Sequence, residues 1–94
     1  VDPGAVADVL RSHPDVADAA VVGLADPEWG ERVAALVLSA PGPAPDAAGI
    51  ERHCRDHLAA FERPRTIAFA DELPRTPSGT VDRDRVRRLL RERD

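Results

Sequence analysis

The sequence predicts a small α+β domain in which about three helices cover a three-stranded mixed sheet, and three observations predict it. The chain has 94 residues, which is one domain at most, and 43% of them are hydrophobic. Helix caps followed by apolar residues at helical spacing occur at three places along the chain. Short apolar runs rich in valine and alanine lie between them. The predicted order is therefore α-β-β-α-β-loop-α.

The first half of the chain predicts one helix and two strands. Asp2-Pro3 opens the helix, because aspartate caps helix N-termini and proline suits the first helical position. Pro14 ends it, since the residue before a proline avoids the α region. The apolar run 16–24 predicts a buried strand, and a second run, 32–38, follows closely enough to pair with it antiparallel.

The second helix is predicted between Asp46, which is a cap, and Pro64, which stops it. Its apolar face is expected to run through Ile50, Cys54 and Phe61. A proline-rich loop precedes this helix, so the helix is a separate element from the second strand.

The last two elements are a short strand and a helix. Alternation over residues 66–70 predicts the strand, and Asp82 opens the helix. Acidic residues near the helix start and arginines near its end suit the helix dipole. Val86, Leu89 and Leu90 are predicted to face inward.

Two histidines on the second helix, His53 and His57, have the spacing of a two-histidine metal site. Cys54 points about 100° away from His53 around a helix, so the three side chains do not converge. A zinc protease would also need a glutamate where Cys54 stands. The sequence favours a solvated amphipathic helix, and no metal site is predicted.

Composition excludes several classes of protein. No apolar run approaches the roughly 18 residues of a membrane span, and no basic-then-apolar leader is visible, so neither a membrane partner nor secretion is expected. The single cysteine makes no internal disulfide, which agrees with a cytoplasmic location. Residues 75–94 carry seven arginines against four acids, but the whole chain is acidic at −4 and this segment has no aromatic residue. Nucleic acid is therefore not an expected partner.

Two segments supply candidate binding residues. Trp29 lies between the two predicted strands in a chain with only two other aromatic residues, and it either packs at an edge or contacts a ligand. Arg63 and Arg65 flank a proline, and extended chain sends both to the same side. Guanidinium groups match phosphate oxygens, and the nearby Phe61 ring can stack on a base. The alternative is a core phenylalanine with solvated arginines.

The segment 73–83 is a loop stiffened by prolines ahead of the last helix. It presents the side chain of Thr80 just before that helix, and the backbone N–H groups of such a loop can meet an anion. Taken by itself, the segment is better described as a polar loop.

At these residues the chain resembles the C-terminal domain of adenylate-forming acyl-CoA synthetases, the group shared with luciferases and peptide-synthetase adenylation domains. The resemblance covers the whole chain and rests on ordered motifs at matching spacing. These are Val1-Asp2-Pro3 through Val9-Leu10, His13-Pro14-Asp15-Val16, Ala20-Val21-Val22-Gly23, Asp26-Pro27-Glu28-Trp29-Gly30-Glu31, Phe61-Glu62-Arg63-Pro64-Arg65, and Leu73-Pro74-Arg75-Thr76-Pro77-Ser78-Gly79 leading into Val81-Asp82-Arg83.

The resemblance implies a two-step acid–thiol ligase. A carboxylic acid and ATP give acyl-AMP and pyrophosphate, and the acyl group then passes to the thiol of coenzyme A. Residues 1–94 would form a single C-terminal lid domain that rotates between the steps. A large N-terminal adenylation domain, absent from this chain, would be its partner and would hold the acid, the nucleotide and Mg²⁺.

The resemblance also implies roles for individual residues. Trp29 matches the tryptophan of the pantetheine tunnel in some coenzyme A ligases. Phe61, Arg63 and Arg65 match the segment that meets the adenine and phosphates of coenzyme A. Gly79 belongs to the family's Ser-Gly-Lys loop, whose lysine reaches the acid and phosphate oxygens during adenylation.

Position 80 departs from the family, because Thr80 stands where the family has its catalytic lysine. A threonine hydroxyl reaches roughly 2.5 Å from Cα and a lysine amine roughly 6 Å. All 13 basic residues of the chain are arginines, and the nearest two are Arg75 and Arg83. Loss of one transition-state contact typically costs about 100- to 1000-fold in rate, so weakened adenylation is expected.

Two other functions remain open from the sequence. One alternative to the ligase lid is a non-catalytic binding module derived from such a ligase, which the absence of the lysine favours. The other is the lid of an adenylation domain that serves a carrier protein. In the second case the thiol belongs to a phosphopantetheine arm and the same tunnel residues serve. The acid substrate is not encoded in these residues, since its pocket would lie in the other domain.

Overall fold

The computed structural model describes residues 2–28, 30–42 and 46–92. Within them the chain forms three α-helices, three strands and one 3₁₀ turn. Their bounds are α1 Pro3–Arg11, β1 Val16–Asp26, β2 Gly30–Ser39, α2 Ala47–His57, the 3₁₀ turn Ala60–Glu62, β3 Thr66–Ala70 and α3 Arg83–Glu92. The predicted order of helices and strands is confirmed.

The sheet has the order β1-β2-β3 and is mixed, as predicted. β1 and β2 pair antiparallel from Val16↔Ser39 to Asp26↔Gly30, with an irregularity between Val16 and Asp18. β2 and β3 pair parallel from Ala34↔Thr66 to Leu38↔Ala70. A parallel pair needs a long crossover, and α2 supplies it.

The sheet is covered on both faces, which explains why its strands are apolar without strict alternation. On β1, Val21 packs with the α1 and α2 cluster and Val22 with the α3 cluster. The first cluster includes Val6, Leu10, Val37, Ile50 and Cys54, and the second includes Leu24, Leu36, Leu73, Val86 and Leu90.

The helix starts follow the predicted caps. The Asp2 Oδ1 atom accepts a hydrogen bond from the Gly4 N–H at 2.9 Å, and Asp46 Oδ1 accepts one from Ala48 at 3.1 Å. Asp82 Oδ1 accepts from the Arg85 N–H at 3.2 Å. Each carboxylate therefore satisfies an N–H group that has no partner inside its helix.

Two predictions about apolar side chains are wrong. α2 ends at His57, because Leu58 is extended (φ −127°, ψ 146°), and Phe61 therefore lies on the following 3₁₀ turn, 72% exposed. Leu89 is 38% exposed, whereas Val86 and Leu90 are buried. Leu89 lies about 100° from Leu90 around the helix, on the side away from the core.

Among the described residues, no helix is long and apolar enough to cross a membrane. No group of three histidine, cysteine or acidic side chains in that part of the chain comes together as a metal site. His53 instead ties α2 to the end of α1, with Nε2 2.9 Å from the Val9 carbonyl oxygen and 2.8 Å from Ser12 Oγ.

Candidate functional site

A groove of about 520 Å³ opens on the sheet face that α1 and α2 cover. Its floor comes from the end of β1 and the start of β2, and its walls come from the 3₁₀ turn, the segment after it and the first residue of α1. Its lining consists of Pro3, Val21, Val22, Gly23, Glu31, Arg32, Val33, Ala60, Phe61, Arg63 and Arg65. We refer to it below as the groove.

Phe61 is held at the groove by its short 3₁₀ turn. The Glu62 N–H donates to the Ala59 carbonyl oxygen at 2.9 Å, and Glu62 Oε1 accepts from the Ala59 N–H at 3.2 Å. These two bonds fix the turn while the Phe61 ring stays 72% exposed. An exposed aromatic ring beside a groove is suited to stacking on a planar ligand.

Arg63 and Arg65 both line the groove, and the structure gives each a further contact. Arg63 Nε donates to the Leu58 carbonyl oxygen at 3.1 Å and Nη2 to that of Arg55 at 3.4 Å, so Arg63 caps the C-terminal end of α2. Neither of these two bonds uses the third guanidinium nitrogen of Arg63, Nη1. The Arg65 N–H donates to the Val33 carbonyl oxygen at 2.8 Å, which fixes its backbone beside β2.

Trp29 lies outside the described residues. The residues around it form the connection between β1, which ends at Asp26, and β2, which begins at Gly30. Asp26 Oδ1 accepts a hydrogen bond from the Glu28 N–H at 2.9 Å, and Gly30 has a positive φ of 80°. The role that the resemblance implies for Trp29 stays a prediction.

Gly23 and Glu31 form a close approach that the sequence analysis missed. Both line the groove, and a Cβ at position 23 would lie 2.5 Å from Glu31 Oε1. The Glu31 side chain therefore lies over bare backbone of β1. A glycine inside an apolar strand is a known sign of such an approach, and this signal was present in the sequence.

The loop that carries Thr80 is a tight hairpin over residues 75–81. Arg75 and Val81 form an antiparallel bridge, the Thr76 N–H donates to the Thr80 carbonyl oxygen at 2.8 Å, and the Gly79 N–H donates to that of Thr76 at 2.9 Å. Gly79 has φ 91°, a conformation that favours glycine. Gly79 thus shapes the loop, and Thr80 is exposed beside it.

The two arginines nearest to Thr80 are both engaged with the fold. Arg75 Nη1 donates to the Gly79 carbonyl oxygen at 3.0 Å, and its Nη2 lies 3.5 Å from Asp18 Oδ2. Arg83 Nη2 donates to the Val21 carbonyl oxygen at 2.7 Å, on the edge strand β1. Arg75 is thus held by the loop and by Asp18 of β1, and Arg83 is held by β1.

The groove and the 75–81 loop belong to opposite faces of the sheet. Val21 and Val33 of the groove pack with the α1 and α2 cluster. Leu73 and Val81, at the two ends of the loop segment, pack with the α3 cluster. The structure thus separates the candidate residues into two sites.

Cys54 belongs to neither site and is 2% exposed. Burial raises the pKa of its thiol; the Arg63 charge opposes this effect and the Glu51 charge adds to it. A buried thiol with a raised pKa is a poor nucleophile, so Cys54 acts as a small core residue.

Comparison with known proteins gives strong matches. The family model for the AMP-binding enzyme C-terminal domain matches residues 5–80. The chain is 43% identical over 82 residues to a medium/long-chain-fatty-acid–CoA/3-oxocholest-4-en-26-oate–CoA ligase of Mycobacterium tuberculosis. This alignment covers 87% of the chain and 15% of the ligase. The chain is also 42% identical over 93 residues to a fatty acid–[acyl-carrier-protein] ligase of Streptomyces coeruleorubidus. This alignment covers 99% of the chain and 17% of that ligase.

A solved structure matches the fold. The amide bond synthetase of Marinactinospora thermotolerans superimposes with a TM-score of 0.91 and 42% identity over 96% of this chain and 18% of that one. The chain therefore spans about a sixth of the length of the relatives it matches. The fold class predicted from the sequence is confirmed.

Proposed function

The chain belongs to the family of AMP-binding enzyme C-terminal domains, and from this membership we propose that it is the lid of an ATP-dependent acyl-CoA ligase. In this proposal a carboxylic acid and ATP give acyl-AMP and pyrophosphate. The thiol of coenzyme A then attacks the acyl carbon and AMP leaves. A large N-terminal domain, with Mg²⁺ and the acid pocket, is the partner of the lid, and the cytoplasm is the proposed location.

The observation that supports the proposal is the position of the two candidate sites on opposite faces of one sheet. A rotating lid needs one face for adenylation and another for thioester formation. The groove and the 75–81 loop are separated in this way. The same rigid domain therefore offers each step a different set of residues.

We assign the groove to the nucleotide end of coenzyme A. The exposed Phe61 ring is suited to stacking on adenine, and Arg65 with the Nη1 atom of Arg63 is suited to phosphate oxygens. In the same assignment, Trp29 lines the path of the pantetheine arm toward the reacting thiol. These interactions bind and orient the thiol substrate.

We assign adenylation to the 75–81 loop and expect it to be slow. Thr80 is exposed but carries no charge, and Arg75 and Arg83 are held by the sheet and the loop itself. The charge that develops on the phosphate and carboxylate oxygens therefore lacks the cation that a lysine supplies. The expected loss is about 100- to 1000-fold.

Two other functions are kept as outcomes of the test. A non-catalytic module derived from a ligase is favoured by Thr80. A lid that serves a carrier protein is favoured by the Streptomyces relative, which is named as an acyl-carrier-protein ligase and matches 99% of the chain. In that case the thiol in the groove belongs to a phosphopantetheine arm.

The experiment is ATP–pyrophosphate exchange in the full-length protein, with medium- and long-chain fatty acids as the acids tried, compared between wild type and Thr80→Lys. We expect Thr80→Lys to raise acid-dependent exchange by about 100- to 1000-fold. Ser78→Lys is the matched control, because it places the same charge on the same exposed loop two residues away. It is expected to give no gain.

If wild type catalyses ATP–pyrophosphate exchange at a full rate and Thr80→Lys is no faster, the prediction of weakened adenylation is wrong. Absence of exchange in both proteins, with coenzyme A still bound, would favour the binding module. Transfer of a supplied acyl-adenylate to a phosphopantetheinylated carrier protein, but not to coenzyme A, would favour the carrier-protein ligase.

A further inference from the structure

The floor of the groove contains the carboxylate of Glu31, to which the proposed function assigns no role. Glu31 pairs directly with Ala25 across the sheet, and Gly23 is its diagonal neighbour on the same face. A Cβ at position 23 would lie 2.5 Å from Glu31 Oε1 and 2.7 Å from Oε2. The carboxylate therefore occupies the place that a side chain at position 23 would take.

This carboxylate forms no ion pair with Arg63 or Arg65 in the described residues. In the part of the chain that the structure describes, Glu31 has no side-chain hydrogen bond or ion pair, although Arg63 and Arg65 line the same groove. An ionised carboxylate only accepts hydrogen bonds, and it repels phosphate. It therefore favours a ligand that brings a neutral N–H or O–H donor to the floor and places its phosphates toward the arginines.

We propose that Glu31 is a specificity-determining residue of the groove, which accepts a hydrogen bond from a neutral donor on the nucleotide end of coenzyme A. This inference rests on the proposed function of the groove. The donor is either the adenine amino group or a ribose hydroxyl, and both offer the same chemistry. Gly23 contributes by leaving the space in which the Glu31 carboxylate lies. The nucleotide is thereby oriented with its base and sugar over β1 and its phosphates at Arg65.

The test is calorimetric titration of the full-length protein with coenzyme A and with 3′-phosphoadenosine 5′-diphosphate, which is its nucleotide end alone. AMP is present in excess to fill an adenylate site elsewhere in the protein. We expect Glu31→Gln to weaken both ligands by the same factor, about 10-fold, the loss of one charge-assisted hydrogen bond. Glu72→Gln, an exposed carboxylate outside the groove, is the matched control and should bind as wild type does.

Gly23→Ala tests the geometry without removing the carboxylate. The three atoms nearest to the added methyl group all belong to the tip of the Glu31 side chain, so we expect the protein to fold, as checked by its melting temperature, and to lose the same factor of affinity. The double variant should lose no more than either single variant, because both changes remove one interaction. The inosine counterpart of the nucleotide probe, which lacks the amino group, identifies the donor. If wild type and Glu31→Gln bind this probe with equal affinity, the donor is the adenine amino group. If Glu31→Gln still binds it more weakly, the donor is a ribose hydroxyl.

The outcomes separate this inference from the proposed function. If wild type binds neither coenzyme A nor the nucleotide probe, the proposed function of the groove fails. If wild type binds both and Glu31→Gln binds them equally well, Glu31 has no such role. A loss for coenzyme A without a loss for the nucleotide probe also overturns the inference, because Glu31 would then contact the pantetheine arm.

Discussion

The carboxylate of Asp18 on β1 and the guanidinium of Arg75 form an ion pair, with 3.5 Å between Oδ2 and Nη2. Arg11 of α1 reaches the same carboxylate, with 2.9 Å between Nε and Oδ1. Arg75 in turn donates to the Gly79 carbonyl oxygen. Asp18 therefore joins the first helix and the edge of the sheet to the loop that presents Thr80.

Asp18 should make the stability of the domain sensitive to acid. Burial opposes its ionisation, but the hydrogen bonds from Arg11 and Ala19 and the charges of Arg11 and Arg75 outweigh burial and hold the pKa of Asp18 below its ordinary value. The ionised form therefore stabilises the fold above the ordinary aspartate pKa, about 3.9, and this contribution is lost as pH falls through the lower folded-state pKa. We expect the free energy of unfolding of Asp18→Asn, measured in urea, to fall less than that of wild type between about pH 5 and pH 2.

Asp8→Asn is the control for this measurement. Asp8 pairs with the same Arg11, but its side chain is 77% exposed, so its ion pair contributes little. Its acid profile should follow that of wild type. If the free energy of unfolding of Asp18→Asn falls in acid as much as that of wild type, the role given to Asp18 is wrong.

Two neighbouring leucines on α3 should differ sharply in their effect on stability. Leu90 is fully buried against the sheet, so Leu90→Ala should lower the free energy of unfolding by about 2–5 kcal/mol. Leu89→Ala, at a position 38% exposed, should lower it by only about 1 kcal/mol. Urea denaturation of both variants measures the difference, and similar losses would mean that α3 is rotated from the described orientation.

The two phenylalanines should separate binding from stability. Phe61→Ala should weaken coenzyme A binding about 10-fold, since stacking of one base is worth about 1–3 kcal/mol, and should leave the melting temperature unchanged. Phe69, which packs against the α1 and α2 cluster, is the counterpart. Phe69→Ala should lower the melting temperature. A Phe61→Ala protein that melts early but binds normally would place its ring in the core.

Two glycines should respond in opposite directions to alanine. Gly79→Ala puts a side chain where φ is 91°, so we expect a loss of about 1–2 kcal/mol in the free energy of unfolding. Gly49 lies inside α2 with nothing within 4 Å of an added Cβ. Gly49→Ala should therefore gain about 0.5–1 kcal/mol. Equal effects in chemical denaturation would show that the loop does not need the left-handed conformation.

The sequence was sufficient for the elements whose signals are local. The caps at Asp2 and Asp46 and the apolar runs of β1 and β2 depend on neighbouring residues, and the structure follows them. The sequence analysis misplaces Phe61 because helical spacing continues past His57, whereas the chain leaves the helix at Leu58, whose backbone is extended. Spacing along one helix does not record where the helix ends.

The sequence indicates residue types for the candidate site but not the contacts that these residues make. The residue types indicate Arg63 as a phosphate ligand, and the structure adds that two of its nitrogens bind carbonyl groups at the end of α2. The sequence motif Trp29-Gly30-Glu31 indicates no role for Glu31, because the approach of Glu31 to Gly23 depends on the register of β1 against β2. Such cross-strand relationships are fixed only when the strands pair.

The bond from Arg83 to the Val21 carbonyl oxygen has a consequence for association between molecules. β1 is an edge strand, and free carbonyl groups along such an edge invite a strand from a second molecule, which is how many proteins begin to aggregate. Arg83 occupies one of these carbonyls from α3, and Arg11 approaches that of Ala19 from α1. The two guanidinium groups thus reduce the number of carbonyl groups that this edge offers to intermolecular β-pairing.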